Sequence, residues 1–282
     1  MESFQQHATA KEPSLFLLSS WMEQEPGLTA GFTGRSGGVS GSPWTSLNMG
    51  LHVGDDEETV ARNRRLLAEA IGWPFEAFTC GEQVHGCAVY KVTASDRGKG
   101  RLSREDAVPD TDALMTNEPD TLLVSFYADC VPLYFYDAEH RAIALAHAGW
   151  KGTVQQIAAR TLEAMHEAYG TRPDAVQAAI GPSIGDCCYE VDNYVIDRLM
   201  PVIDSFEAGD EAVQRMLRPV PDGKAMVNLK EINRQIMIKA GILPIHIEMS
   251  KWCTGCNRDL FFSHRMEGGR TGRMASWIGI RK

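Results

Sequence analysis

Two apolar segments, TLLVSFYADC at residues 121–130 and AIALAHAGWKG at 142–152, flank the run VPLYFYD and commit this part of the chain to buried strands. A turn at residues 137–140 folds them into a hairpin in which Tyr136 faces Arg141. Counting outward from that pair sets Cys130 opposite His147. Directly opposed strand residues carry Cβ atoms about 4.5–5.5 Å apart, close enough for a thiolate and an imidazole to share one ion, or for the imidazole to deprotonate the thiol. Pro132 cannot donate to a ladder, so a bend or a sheet edge is expected there. A plainer reading stands beside this one: cysteine is among the most often buried side chains, and a buried histidine is commonly just hydrogen-bonded.

Periodicity places helices at residues 58–71, 153–169, 193–204 and 229–240. The second carries an apolar stripe of Val154, Ile157, Ala158, Leu162, Met165 and Tyr169, with Gly170 at its end. Strands are expected at 88–93, 122–127, 133–136, 142–146, 175–180 and 245–249. Strands outnumber helices and include a hairpin, so the class is mixed α/β in the broad sense, with α+β left open. The 282 residues carry no Pro/Gly/Ser-rich interruption after the first few dozen and no repeat, which favours one domain.

A hydrophobic share of 44% and a charged share of 23% describe an ordinary globule with a substantial core. The formal net charge of -9 opposes nucleic acid as a partner, since phosphate backbones need a surplus of Lys and Arg. The apolar run at residues 15–18 is too short for a signal peptide or a membrane span, which leaves the cytoplasm as the expected compartment. The seven cysteines are expected to be reduced. Cys253-Thr-Gly-Cys256 has the spacing of half a zinc ribbon, but the adjacent Cys187 and Cys188 lack the spacing of a partner pair, so no structural zinc is expected there.

Chemistry concentrates in Gly-containing loops at the strand ends. His85, in EQVHG, is a third candidate ligand beside Cys130 and His147. Three ligands from separate segments leave an ion one open position, the mark of a catalytic zinc site. Asp112 and Asp129 are the carboxylates near this centre in sequence. Asp129 should point to the strand face opposite Cys130, which favours Asp112 as the group that orients an imidazole or moves a proton. Arg35 in GRSGG is a candidate anion holder, although Gly-Gly beside an Arg is also an ordinary turn. His264, Arg265 and Arg273 add charge in a second Gly-rich context, either as ion pairs or as an anion site.

The segments GFTGRSGGVS, EQVHG, TDALMT, ADCVPLYFYD, AHAGWKGT, AAIGPSIGDCCYEV, CTGCNRDLFFSHR and TGRMASWIGI, in this order, closely resemble the laccase-domain family. Its members are also called polyphenol oxidoreductases and are now described as purine nucleoside phosphorylases. The resemblance spans residues 31–282 and leaves 1–30 as an N-terminal extension. It implies a single mixed α/β domain and a metal site at His85, Cys130 and His147. It also implies phosphate-dependent cleavage of adenosine, inosine, guanosine or methylthioadenosine, together with deamination of adenosine. Arg35, Asn48 and Asp112 match positions placed at the pocket. Gly34 stands where the family commonly has Thr, and Met266-Glu267 replaces a usual Arg-Asp, which loosens any role assigned to those loops.

The oxidase name sits poorly with the ligands. A four-copper oxidase draws on His-x-His pairs, and this chain has 8 His and no such pair. Zinc is the expected metal, with copper as an adventitious substitute at a thiolate-imidazole site, where it would give a weak polyphenol-oxidase-like activity. Two other readings stay open: a cysteine hydrolase using Cys130 and His147, and a module that binds a nucleoside without turning it over.

Overall fold

The computed structural model describes residues 2–7, 13–206 and 209–282. The chain enters through β1 (Gln5–His7), β2 (Leu15–Leu17), α1 (Ser19–Gln24), β3 (Leu28–Thr33) and α2 (Glu57–Ala70). There follow β4 (Phe78–Cys80), β5 (Val89–Lys91), β6 (Ala113–Thr116), β7 (Thr121–Tyr127), β8 (Val131–Asp137) and β9 (Ala142–Ala148). Then come α3 (Trp150–Val154), α4 (Ile157–Tyr169), β10 (Gln177–Ile180), β11 (Glu190–Val191), α5 (Asn193–Asp204) and α6 (Asp210–Met216). The last elements are β12 (Leu217–Val220), β13 (Lys224–Val227), α7 (Leu229–Lys239), β14 (Ile247–Met249) and β15 (Met274–Ile280).

The strands form one six-stranded sheet in the order β1-β2-β3-β15-β7-β4 and a second in the order β14-β10-β8-β9-β6-β5. A three-stranded sheet, β11-β13-β12, is hydrogen-bonded to neither but shares the core of the second through Val191, Leu217, Ala225 and Val227. Alternation along the strands explains the layering. Leu123 and Tyr127 of β7 meet Tyr134, Tyr136, Ile143 and Leu145 of the second sheet in a shared core. The other face of the second sheet, with Leu133, Phe135, Ala144 and Ala146, packs on Ile157 and Leu162 of α4 and Ile236 of α7. On the first sheet, Leu122, Val124 and Trp277 turn outward to Leu67 of α2 and Trp73. Both sheets are therefore covered on two faces, which is why β7, β8 and β9 read as continuous apolar runs. The result is the mixed α/β fold that the sequence indicates.

Three expectations need correction. Val131 pairs with Ala148 and Pro132 with His147, so the hairpin is displaced by two residues and Cys130 lies diagonal to His147. The cause is the Asp137 side chain, which accepts from Glu139 N (3.0 Å) and His140 N (3.3 Å) and moves the turn to residues 138–141, with Arg141 at φ 47°. An even shift keeps both side chains on one face. Pro132, second, is neither at an edge nor at a bend: β8 lies between β10 and β9. Its carbonyl accepts from Gly181 N on the side where β10 has ended at Ile180, so the missing donor breaks no ladder bond there.

Third, the helix expected at 153–169 is two helices, broken at Gln156 in the left-handed region with φ 57°. Thr153 Oγ1 donates to Gly149 O and accepts from Asn233 Nδ2 of α7, so the first turn obeys the loop after His147 rather than the apolar stripe. Several strands, the short β12 and β13 and the long β15 among them, escaped the sequence reading altogether.

Helix α2 starts where Asp56 accepts from Thr59 N at 2.8 Å, with Glu57 and Glu58 in its first turn. It buries Arg64, whose guanidinium donates to the carbonyls of Met49, Gly100 and Arg101 and lies over Phe126, 4.3 Å from the ring centroid. Burial pushes Arg64 down to about 10, which leaves it charged at neutral pH. It ties two loops of the site to one helix. Arg64→Met keeps the packed stem and removes the donors; urea unfolding should show a loss of about 2 kcal/mol. An unchanged midpoint would mean that water replaces those bonds without cost.

Candidate active site

Asp112, just ahead of β6, organises the centre. Its buried carboxylate accepts from the backbone N–H groups of Val84 (3.1 Å), His85 (3.0 Å) and Gly86 (2.7 Å). That bundle of three donors holds the loop after β4 in shape and keeps His85 at φ 60°. The same carboxylate lies 2.8 Å from Nδ1 of His147, on β9. In the neutral ring, with Nδ1–H donating to Asp112, Nε2 of His147 is left as a bare acceptor. One carboxylate thus sets the backbone of one histidine and the tautomer of the other.

Cys130 stands immediately before β8. Its sulfur is 3.9 Å from His85 Nε2, and the rings of His85 and His147 are 4.9 Å apart at 75°. Ligand atoms of His85, Cys130 and His147 all lie within 4.8 Å of one another. The approach demands Gly149: a Cβ there would come 3.1 Å from Cys130 Sγ and 3.2 Å from His85 Cδ2. Burial works against the Cys130 thiolate, but the charge and hydrogen bonding of His147, and then of His85, bring the thiol down to about 6. For His147, burial likewise opposes the charge, and the Cys130 thiolate and Asp112 raise it to about 9. The centre is therefore a thiolate-imidazole cluster with one ring oriented by a carboxylate. Such a donor set suits a three-ligand zinc ion, and equally an activated cysteine.

The cluster sits where two cavities meet. One, of about 300 Å³, is cationic in balance, lined by His52, Arg64, Arg273, Gln83 and the Arg104–Glu82 pair (3.0 Å) beside the cluster itself. The other, of about 340 Å³, is aromatic at its far side, with Trp150, Tyr189, Lys151 and Arg265. His85, Cys130 and His264 line both.

The remaining residues singled out in the sequence lie elsewhere. Arg35 lines neither cavity. Its guanidinium donates to Arg258 O at 2.7 Å, pairs with Glu267 at 3.1 Å and covers the Phe262 ring, so it clamps two loops together. Asn48 is fully buried and acts at one remove: its Oδ1 accepts from Arg273 N at 2.9 Å. Asp129 turns away from the cluster, accepting from Thr254 Oγ1 at 2.6 Å and Arg265 N at 2.7 Å. Arg104 and His52 escaped the sequence reading because nothing in their polar loops marks them. The expectation of no partner for Cys253 and Cys256 is overturned: Cys187 and Cys188 lie against them, with Cys256 Sγ 3.3 Å from Cys187 Sγ and 3.4 Å from Cys188 Sγ. Adjacent cysteines can share a site when the backbone turns tightly, as it does at Gly185, whose carbonyl accepts from both Cys188 N and Tyr189 N.

No helix among the described residues is long and apolar enough to cross a membrane. Comparison with known proteins places this geometry in context. A purine nucleoside phosphorylase, YlmD, of Geobacillus stearothermophilus is 44% identical over 256 residues, covering 91% of each chain. Its namesake from Bacillus subtilis is 38% identical over 275 residues, 96% of each. The crystal structure of YlmD from Geobacillus stearothermophilus superposes with a TM-score of 0.90 at 41% identity over 100% of both chains. The Neisseria meningitidis protein NMB0706 does so with 0.77 at 29%. Residues 29–281 match the family described as multi-copper polyphenol oxidoreductase laccase, and the chain belongs to that family.

Proposed function

We propose that this chain is a zinc-dependent purine nucleoside phosphorylase that also deaminates adenosine. The observation that carries the reading is the His85–Cys130–His147 cluster at the junction of a cationic and an aromatic cavity. The relatives named purine nucleoside phosphorylase support the substrate class. His85, Cys130 and His147 would hold zinc, which when bound supplies Lewis acidity and lowers the pKa of water in the pocket.

The chain's own groups do the rest. Trp150 and Tyr189 offer flat faces for a purine. Arg104, Arg273 and His52 face the cavity that suits phosphate, and Arg35 lines neither cavity. Asp112 keeps His147 in one tautomer, and His264, which borders both cavities, is placed to donate an N–H to the base as its bond to ribose weakens. Released base and ribose 1-phosphate would appear together only with phosphate present. The test is conversion of inosine and adenosine by purified protein with and without phosphate and with a chelator. Base release that is independent of phosphate would overturn the phosphorylase reading.

One observation favours a second reading. Cys130, His147 and Asp112 also have the order of a nucleophile, a base and its orienter. Activity that survives chelation but not thiol alkylation would establish that cysteine enzyme instead.

Desolvation in the cavity, followed by the charges of Arg273, Arg104 and Arg64, pushes His52 down to about 4. It should therefore be neutral at neutral pH. Phosphate bound beside those guanidiniums offsets their charge, so the His52 titration midpoint should rise when phosphate is added. Proton NMR of the ring reads this directly, and a midpoint indifferent to phosphate would place the anion elsewhere.

A further inference from the structure

We propose that Cys187, Cys188, Cys253 and Cys256 form a second metal site, a closed four-thiolate zinc centre that staples two loops of the cavity wall. The four sulfurs lie within 4.8 Å of one another. Cys187 Sγ is 3.4 Å from Cys253 Sγ and 3.3 Å from Cys256 Sγ, and Cys256 Sγ is 3.4 Å from Cys188 Sγ. A sulfur with two neighbours at equal range has no unique disulfide partner. A tetrahedral zinc with Zn–S of about 2.3 Å needs sulfurs about 3.8 Å apart, so these three contacts open by about 0.4 Å when the cluster closes on an ion.

The surroundings are built for clustered sulfur. Gly185 N donates to Cys253 Sγ at 3.2 Å. A Cβ on Gly185 would come 3.2 Å from Cys187 Sγ, and one on Gly255 would come 2.8 Å from Cys188 Cβ. Gly255 leaves no space for a side chain, and Gly185 is tight for one. Four thiolates and one divalent ion sum to a net double negative charge. The buried Lys230 ammonium is placed to offset it, donating to the carbonyls of Ser250 (2.9 Å) and Trp252 (3.0 Å), the latter directly before Cys253.

Elsewhere the two loops meet through an isolated bridge of Ser183 with Cys253, through Thr254 N donating to Ser183 O at 3.1 Å, and through Arg265, which donates to Glu190 O and lies over the Tyr189 ring. The first loop carries Ile184 and Tyr189 into the aromatic cavity, and the second carries His264 and Arg265. With four protein ligands the site has no open position, so its role is structural. This centre does not depend on the proposed activity. The first cluster contributes one sulfur and this one four, which separates them spectroscopically.

The experiment uses the full chain bearing Cys130→Ala, which disables the first cluster and leaves the four cysteines intact. Elemental analysis should find about one zinc per chain retained. Cobalt(II) added to the chelated protein should give the strong thiolate-to-metal charge-transfer absorption of a four-sulfur site. Cys187→Ser/Cys256→Ser in the same background should lose both signals. Cys130→Ala protein with no zinc and no cobalt charge transfer would overturn the proposal, as would a disulfide among the four found by mass spectrometry of protein purified without reductant.

Discussion

Cys130→Ala is expected to cut phosphate-dependent nucleoside cleavage by about 10³-fold while leaving the fold intact. Cys130 is the only sulfur in its cluster and the charge that raises His147. Without it the two imidazoles retain little grip on a zinc ion. The side chain is half-buried at the junction of the cavities rather than packed in a core, so truncation leaves no closed void and should cost under about 1 kcal/mol. Rate and metal content should therefore fall together while the thermal midpoint holds. A variant that keeps its rate would remove the cluster from the reaction.

Asp112→Asn should lower zinc affinity at the first cluster by about 100-fold, with a matching loss of rate at limiting metal. The substitution replaces an acceptor of four hydrogen bonds with a group that also carries an N–H. Placed at the Oδ1 position, that N–H opposes both His147 Nδ1–H and His85 N–H and drives the ring to the wrong tautomer; placed at the Oδ2 position, it opposes the donors of Val84 and Gly86. Either way the loop that carries His85 loses part of its setting. His147 also loses a partner that raises it, so its imidazolium form should become less favoured. NMR of the His147 ring nitrogens would report the tautomer directly, and wild-type metal affinity in this variant would show that Asp112 is merely a loop brace.

What could be read from the residues and what could not follow from the range of each interaction. Alternation and apolar length sufficed for β7, β8 and β9, because these strands are buried on both faces. Their register did not, because it hung on one side chain, Asp137, that relocates the turn. The break at Gln156 was invisible for a similar reason: Asn233, far along the chain, holds Thr153. The residues named for the cluster came from loops at strand ends, and the fold gathers His85, Asp112, Cys130 and His147 in one place. Arg35 looked like an anion holder because its glycines suggested exposed N–H groups. Only the fold shows Glu267 and three carbonyls already taking its charge and donors. The four-cysteine cluster was dismissed on spacing, a local rule that fails when the pairs come from two loops joined in space.

The strand order of the first sheet bears on how the molecule reaches its folded state. β15 lies between β3 and β7, antiparallel to both. During synthesis these two strands emerge long before the one that joins them, so the sheet stays split through most of elongation, with open edges on each side. The second sheet has no such gap after β14, and its core helices are already made by then. Residues 85–147 can thus gather on a nearly finished scaffold. Arg273 and the far wall of the cationic cavity arrive with the closing strand, making completion of that cavity a late, non-local event.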